Sequence, residues 1–193
     1  MAANKTTPDN ELQFLRTFYK LKQVYRENSV ADRKESSAEH TWSAMILADY
    51  FLTKGQYKLD KLKVYDLLLY HDLVEIETGD IGIHREEARK DKDAQEDKAA
   101  KKLSKDIPLV LQAKYLSLHT EFAEQKTSEA KFAKAIDHLD AQIHELDNKD
   151  DWKGWTEEKT RELLEKYYPD FPDLKQIFEA FMDYAREHDF FDN

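Results

Sequence analysis

Apolar residues recur along the chain at three- and four-residue spacings, and a breaker closes most of the runs. From Asn10 to Arg26 the set Leu12, Leu15, Phe18, Tyr19 and Val24 keeps near-helical spacing. From Ser37 to Lys54 the set is Trp42, Met45, Ile46 and Tyr50, with Leu47 and Phe51 beside them. Both segments read as helices facing a core. Asp60 can cap a third helix running to about Ile76, whose run Leu67, Leu68, Leu69, Tyr70 leads straight into His71 and Asp72. The pattern predicts further helices from Pro108 to about Gln125, Ser128 to Asn148, Thr156 to Tyr168 and Pro172 to His188. In the second of these, Phe132, Ile136, Leu139, Ile143 and Leu146 alternate at four and three residues. Arg85 to Asp106 is almost all charge and alanine, which reads as a solvated helix or, because it follows the His71-Asp72 segment, as a lid.

With only 4 glycines and 4 prolines in 193 residues, the chain lacks the punctuation that sandwiches and barrels need, so an all-α fold is expected. No repeat period and no Ser/Gly linker divides it, and residues 1–193 read as a single domain. The balance of 30 basic against 40 acidic residues gives a net charge of −10, which repels nucleic acid and anionic lipid surfaces. A small phosphate ester stays acceptable if a cation or a few arginines reverse the potential locally. Without cysteine there is no disulfide, thiolate zinc site or cysteine nucleophile, so a metal would have to use His, Asp and Glu. The N-terminus has no apolar leader and no run approaches the roughly 18 apolar residues of a membrane span, so a cytosolic, soluble protein is expected.

Polar groups at the end of a buried helix demand an explanation. Neighbours on a helix point about 100° apart, so His71 and Asp72 can share one ion only with ligands from other helices. His40, opening the second helix, and Asp137, on the seam beside Ile136, are the candidates. Two imidazoles, two carboxylates and water suit an octahedral divalent ion (Mn, Co, Fe, Ni or Mg) better than a closed zinc site. Glu75 follows His71 by four residues and Asp72 by three, placed to accept a proton from the attacking water. Gly79 then breaks the helix so that Asp80 turns back toward the same pocket.

His40, the His71-Asp72 doublet and Asp137 resemble the H…HD…D signature of the HD-domain metal-dependent phosphohydrolases. The segment Glu35 to Trp42, HDLVEIETGDI at 71–81 and KAIDHLDA at 134–141 resemble the 5'-deoxynucleotidase branch over about residues 12–184. The resemblance implies a multi-helix orthogonal bundle, usually a homodimer, that removes the 5'-phosphate of deoxynucleoside monophosphates with one divalent ion. It makes His40, His71, Asp72 and Asp137 the metal ligands and Glu75 the group acting on water. Asp80 with Ile81 becomes a substrate-contacting edge, shared with Asp72 and Asp137, and Arg26, at the end of the first helix, orients the phosphate. The position after that arginine, a sugar-pressing tryptophan in some members, is Glu27 here, which puts deoxyribose selectivity in question. Arg33 is a further phosphate or dimer contact on this reading. His84 and His119 are the only candidates for a second metal; His138, His144, His188, Trp152 and Trp155 read as packing or interface residues. Another nucleotide phosphohydrolase, such as an HD-type phosphodiesterase, is the runner-up, and a non-catalytic helical module the alternative of a different class.

Overall fold

Thr7 opens the first helix, α1 (Pro8–Phe18): its side chain accepts a hydrogen bond from the Asn10 amide, and Pro8 fills a position where no amide donor is needed. The structure, a computed structural model, describes residues 7–83, 85 and 91–192. The expected helix to Arg26 ends early. After Phe18 the chain tightens into a 3-10 turn, Tyr19–Gln23, and then extends into an antiparallel hairpin of β1 (Tyr25–Val30) and β2 (Arg33–Ser36). Arg26 therefore sits on a strand, not at a helix end. The inward positions of this hairpin are polar, Asn28, Glu35 and Ser36 among them, so no apolar alternation marks it in the sequence.

Ser36 ends β2 and caps α2 (Ser37–Lys54) in a capping box with Glu39. The buried face of α2 is Ser37, His40, Thr41, Ala44, Ala48 and Phe51. Trp42, Ile46 and Tyr50, expected in the core, instead form an exposed stripe, and Leu12 and Leu15 of α1 are exposed as well. Small residues on the inner face let α2 pack against its neighbours, leaving its bulky apolar side outside.

Asp60 caps α3 (Lys61–Tyr70) by accepting from the Leu62 and Lys63 amides. The helix expected to continue to Ile76 is interrupted at the His-Asp doublet: His71–Val74 is a 3-10 turn, followed by the short α4 (Glu75–Thr78). Gly79 ends it at φ 72°, a left-handed conformation that side chains disfavour. Within the charged run, α5 (Lys92–Leu103) buries Ala99, Ala100 and Leu103, so it is amphipathic and not solvated all round.

After α6 (Leu109–Glu124) comes α7 (Ser128–Glu145), the helix around which the others assemble; it packs against α2, α3, α6 and the last helix. The chain closes with α8 (Glu157–Leu164) and α9 (Pro172–Glu187). The buried apolar residues form one connected cluster, from Leu67 and Leu68 beneath α7 to an aromatic group of Trp152, Tyr168, Phe178 and Phe181. This is an all-α bundle with one hairpin laid on it. Among the described residues no helix is long and apolar enough to cross a membrane.

Candidate active site

Three elements deliver the predicted ligands to one place: α2 brings His40, the 3-10 turn brings His71 and Asp72, and α7 brings Asp137. His40 is fully buried, with Nε2 2.9 Å from Asp137 Oδ1 and Nδ1 2.9 Å from Asp140 Oδ2. The His71 ring uses Nδ1 to meet the Leu68 carbonyl at 2.7 Å. Its Nε2 lies 3.0 Å from Asp72 Oδ1 and 3.7 Å from Asp137 Oδ1.

Donor atoms of His40, His71 and Asp72 all lie within 4.8 Å of one another, and Asp137 stands against both imidazoles. His71 Nε2 and Asp72 Oδ2 are buried and make no hydrogen bond. Leaving such a group unsatisfied costs about 1–3 kcal/mol, which a shared cation would offset. Two nitrogens and two carboxylates around such orphaned atoms fit a divalent ion with water completing its shell.

Electrostatics reinforce the picture. Burial and the Arg26 charge act to keep the His40 imidazole neutral, but Asp137 and Asp140 outweigh them and push its pKa up to about 10. Burial works to raise Asp137, yet Lys134, His40 and His71 hold it well below the usual carboxylate range.

Glu75 lies beyond the doublet, 5 % exposed, and accepts a hydrogen bond from Ser37 Oγ at 2.7 Å. In the 3-10 turn, side chains three apart nearly eclipse, so Glu75 faces the same side as Asp72. Burial, then Asp72 and Asp80, push its carboxyl well above the ordinary range. The turn at Gly79 brings Asp80 back as expected: Arg26 reaches across with one guanidinium nitrogen 3.8 Å from Asp72 Oδ2 and 3.7 Å from Asp80 Oδ1. Buried Glu35 holds the other side of Arg26, 3.3 Å from its Nε.

These groups line one cavity. Arg26, Asp72, Glu75 and Asp137 form one part of its wall, and Glu27, Asp80 and Ile81 form an edge. The Glu27 carboxylate pairs with Arg85. Lys134, Asn28, Glu145, Asp151 and Trp155 also line the cavity and were not anticipated as site residues. Lys134 could have been found, since it precedes Asp137 by one turn; its Nζ lies 2.9 Å from Asp137 Oδ2. Trp155 is buried, as expected, but also borders the cavity.

Other candidates stand apart. Arg33 makes a two-pronged pair with Glu39 on the surface. His119 packs beside Tyr115, 3.4 Å from Asp97, outside the ligand group, and His84 lies outside the described residues. His144 meets the Ser29 carbonyl, and His188 stacks on Tyr184. His138 packs against the Tyr167 ring and borders the cavity.

The profile of the HD domain family matches residues 18–177. The chain is 32 % identical to 5'-deoxynucleotidase HDDC2 of Bos taurus over 148 residues, covering 72 % of this chain and 71 % of that protein. To the Xenopus laevis 5'-deoxynucleotidase HDDC2 it is 30 % identical over 139 residues, 70 % and 68 % of the two chains. Among solved structures, the crystal structure of a predicted metal-dependent phosphohydrolase from Magnetospirillum magnetotacticum superposes with a TM-score of 0.84 at 29 % identity, covering 96 % of this chain and 98 % of that one.

Proposed function

The chain belongs to the HD domain family and is a metal-dependent phosphohydrolase, and we propose that it is a 5'-deoxynucleotidase releasing phosphate from deoxynucleoside 5'-monophosphates. The observation that carries this reading is the meeting of a metal-ligand group, a buried arginine and a buried carboxyl at one cavity. His40, His71, Asp72 and Asp137 would hold one divalent ion, of the Mn, Co, Fe, Ni or Mg type. When bound, the ion supplies Lewis acidity, easing deprotonation of water and offsetting charge on the phosphoryl oxygens.

The chain's own groups do the rest. Arg26 presents a planar guanidinium to the phosphate, held in place by Glu35, Asp72 and Asp80, and meets the charge that grows on the oxygens. Lys134 is a second cation at the same wall. Glu75, its carboxyl raised and its Oε2 fixed by Ser37, takes the proton of the attacking water as the new phosphorus–oxygen bond forms. The bond from phosphorus to the sugar 5'-oxygen breaks, and that oxygen leaves as the nucleoside alcohol with a proton taken from solvent, while Glu75 returns the proton it accepted to solvent. Asp80 and Ile81 border the substrate at the edge of the cavity, with Asp80 beside Arg26.

Glu27 takes the place of an apolar wall against the sugar. Glu27 borders the cavity, and its carboxylate, paired with Arg85, keeps acceptor capacity for a ribose hydroxyl, which favours weak discrimination between deoxyribo- and ribonucleotides. The reading also includes a cytosolic homodimer. The cysteine-free composition supports the location, and the exposed stripe of Trp42, Ile46 and Tyr50 supports the dimer.

The deciding experiment loads the chelator-stripped protein with each divalent ion in turn and measures phosphate release from a panel of nucleotides, dAMP and AMP included. Release from deoxynucleoside monophosphates, lost in Asp137→Ala together with the ion, is expected. A protein that binds the ion and cleaves only phosphodiesters would refute the proposed substrate. For the dimer, sedimentation should give twice the chain mass, falling to one chain in Trp42→Glu.

A further inference from the structure

His40 is gripped at both ring nitrogens by carboxylates of a single helix. Asp137 and Asp140 lie three residues apart on α7 and so face the same side; Asp137 Oδ1 meets Nε2 and Asp140 Oδ2 meets Nδ1, each at 2.9 Å. Their further surroundings differ. Asp137 also faces His71 and Lys134 and lines the cavity. Asp140 is 7 % exposed and not among the lining residues. Its Oδ2 accepts a second hydrogen bond, from Ser43 Oγ at 2.7 Å. Ser43 sits one turn after His40 on α2, and its hydroxyl is also 3.0 Å from the His40 carbonyl. Ring, carboxylate and hydroxyl thus close a triangle across the α2–α7 contact.

An imidazole can give a lone pair to a cation only from the nitrogen that carries no proton. Nε2 faces Asp137 Oδ1, the carboxylate that also stands 3.7 Å from His71 Nε2 and that a cation there would share, whereas the Asp140 carboxylate lies behind the ring, away from the cavity; with Asp140 holding the proton at Nδ1, Nε2 is left as the donor. His71 reaches the same state by another route, giving its Nδ1–H to the Leu68 carbonyl. Both rings then offer Nε2 to one shared space.

We propose that Asp140 is a positioning residue for the metal centre: it fixes the tautomer and orientation in which His40 offers Nε2 to the cation, and Ser43 orients Asp140 in turn. Groups of this kind, behind a ligand, are worth about 10- to 100-fold in metal affinity. The inference rests on His40 being a ligand, as proposed above.

The test is a cobalt(II) titration of the chelator-stripped full chain, reading affinity by equilibrium dialysis and ligand geometry by visible absorption, with the thermal midpoint of each metal-free variant recorded alongside. Asp140→Ala should bind cobalt about 10- to 100-fold more weakly and with an altered spectrum. Asp140→Asn, whose amide oxygen still accepts from Nδ1–H, should recover most of the affinity. Ser43→Ala should fall between wild type and Asp140→Ala. If Asp140→Ala does not fold, the Asn and Ser43 variants decide on the same criterion. Wild-type affinity and spectrum in Asp140→Ala, or an Asn variant no better than the Ala variant, would overturn the proposal. His40→Ala separates the two layers: if it binds cobalt like wild type, the ligand assignment itself fails, whereas loss in His40→Ala with no effect at Asp140 or Ser43 sinks the positioning role alone.

Discussion

Glu75 combines three properties rarely found in one carboxyl: it is buried, it accepts a fixed hydrogen bond from Ser37, and it faces the ligand doublet without joining it. Removing only its basicity should therefore separate chemistry from metal binding. Glu75→Gln keeps the shape and the Ser37 contact, so metal content per chain should match wild type while turnover falls about 10²- to 10⁴-fold. Metal analysis beside steady-state kinetics checks both halves; an unchanged kcat would assign the proton to another group, with Asp80 the nearest alternative. Single residues of this kind were the most legible part of the chain. His40, His71, Asp72, Glu75, Asp80 and Asp137 all meet at the site, and they stood out in the sequence as polar groups on or beside buried segments whose pattern resembles a known signature. Asp140 lies as close in sequence to Asp137 as Lys134 does, but nothing in a spacing tells a carboxylate behind a ring from one in front of it.

Helices announced themselves through caps and apolar spacing, and α3, α6, α7 and α9 begin close to where the pattern puts them. Two misreadings share a cause. The hairpin of β1 and β2 turns polar residues inward, so the hydrophobic record is blank there, and α2 buries alanines while exposing a tryptophan, so bulk pointed the wrong way. Both depend on partners distant in sequence. The break at Tyr70 was hidden in an unbroken apolar run, whereas the stop at Gly79 was plain. Gly79→Ala should test how much that stop matters: with φ at 72° and ψ at 164° an alanine costs about 1–3 kcal/mol. Urea unfolding should show a lower midpoint with an unchanged slope, and kcat/KM should fall because Asp80 follows directly on the turn. Equal stability of the two proteins would show that the loop relaxes freely.

Taken as a whole, the chain carries ten more negative than positive charges, and several of its carboxyls converge around one cavity. Partly buried Glu145 records the cost. Burial raises its pKa, Arg26 opposes, Asp151 and Glu35 add to the rise and the Asn28 hydrogen bond opposes it, leaving the group at about 8 against an ordinary 4.5. Between those values the folded chain holds a proton that the unfolded chain has released. Its stabilising effect is complete below pH 4.5 and is lost as pH rises through 8. Thermal midpoints of wild type should accordingly decline from about pH 5 to pH 8.5 relative to Glu145→Gln, which accepts the Asn28 bond without titrating. Parallel curves for the two proteins would remove Glu145 from the pH response.

The hairpin that carries Arg26 is fastened to the bundle largely by polar contacts. Ser29 gives its amide and hydroxyl to Asp151, its carbonyl receives Asn148 and His144, and Asn28 reaches Glu145. Polar fastenings of this sort let a segment open by itself, at a free energy below that of global unfolding. The enzyme should then lose Arg26 from the cavity wall in transient excursions that leave the helices intact. Amide hydrogen exchange would register this as faster exchange over Tyr25–Ser36 than over α7, and Asp151→Ala should speed it further while the far-ultraviolet spectrum stays the same. Warming would silence such a protein before melting it, with activity fading at temperatures where the helical signal has not begun to change.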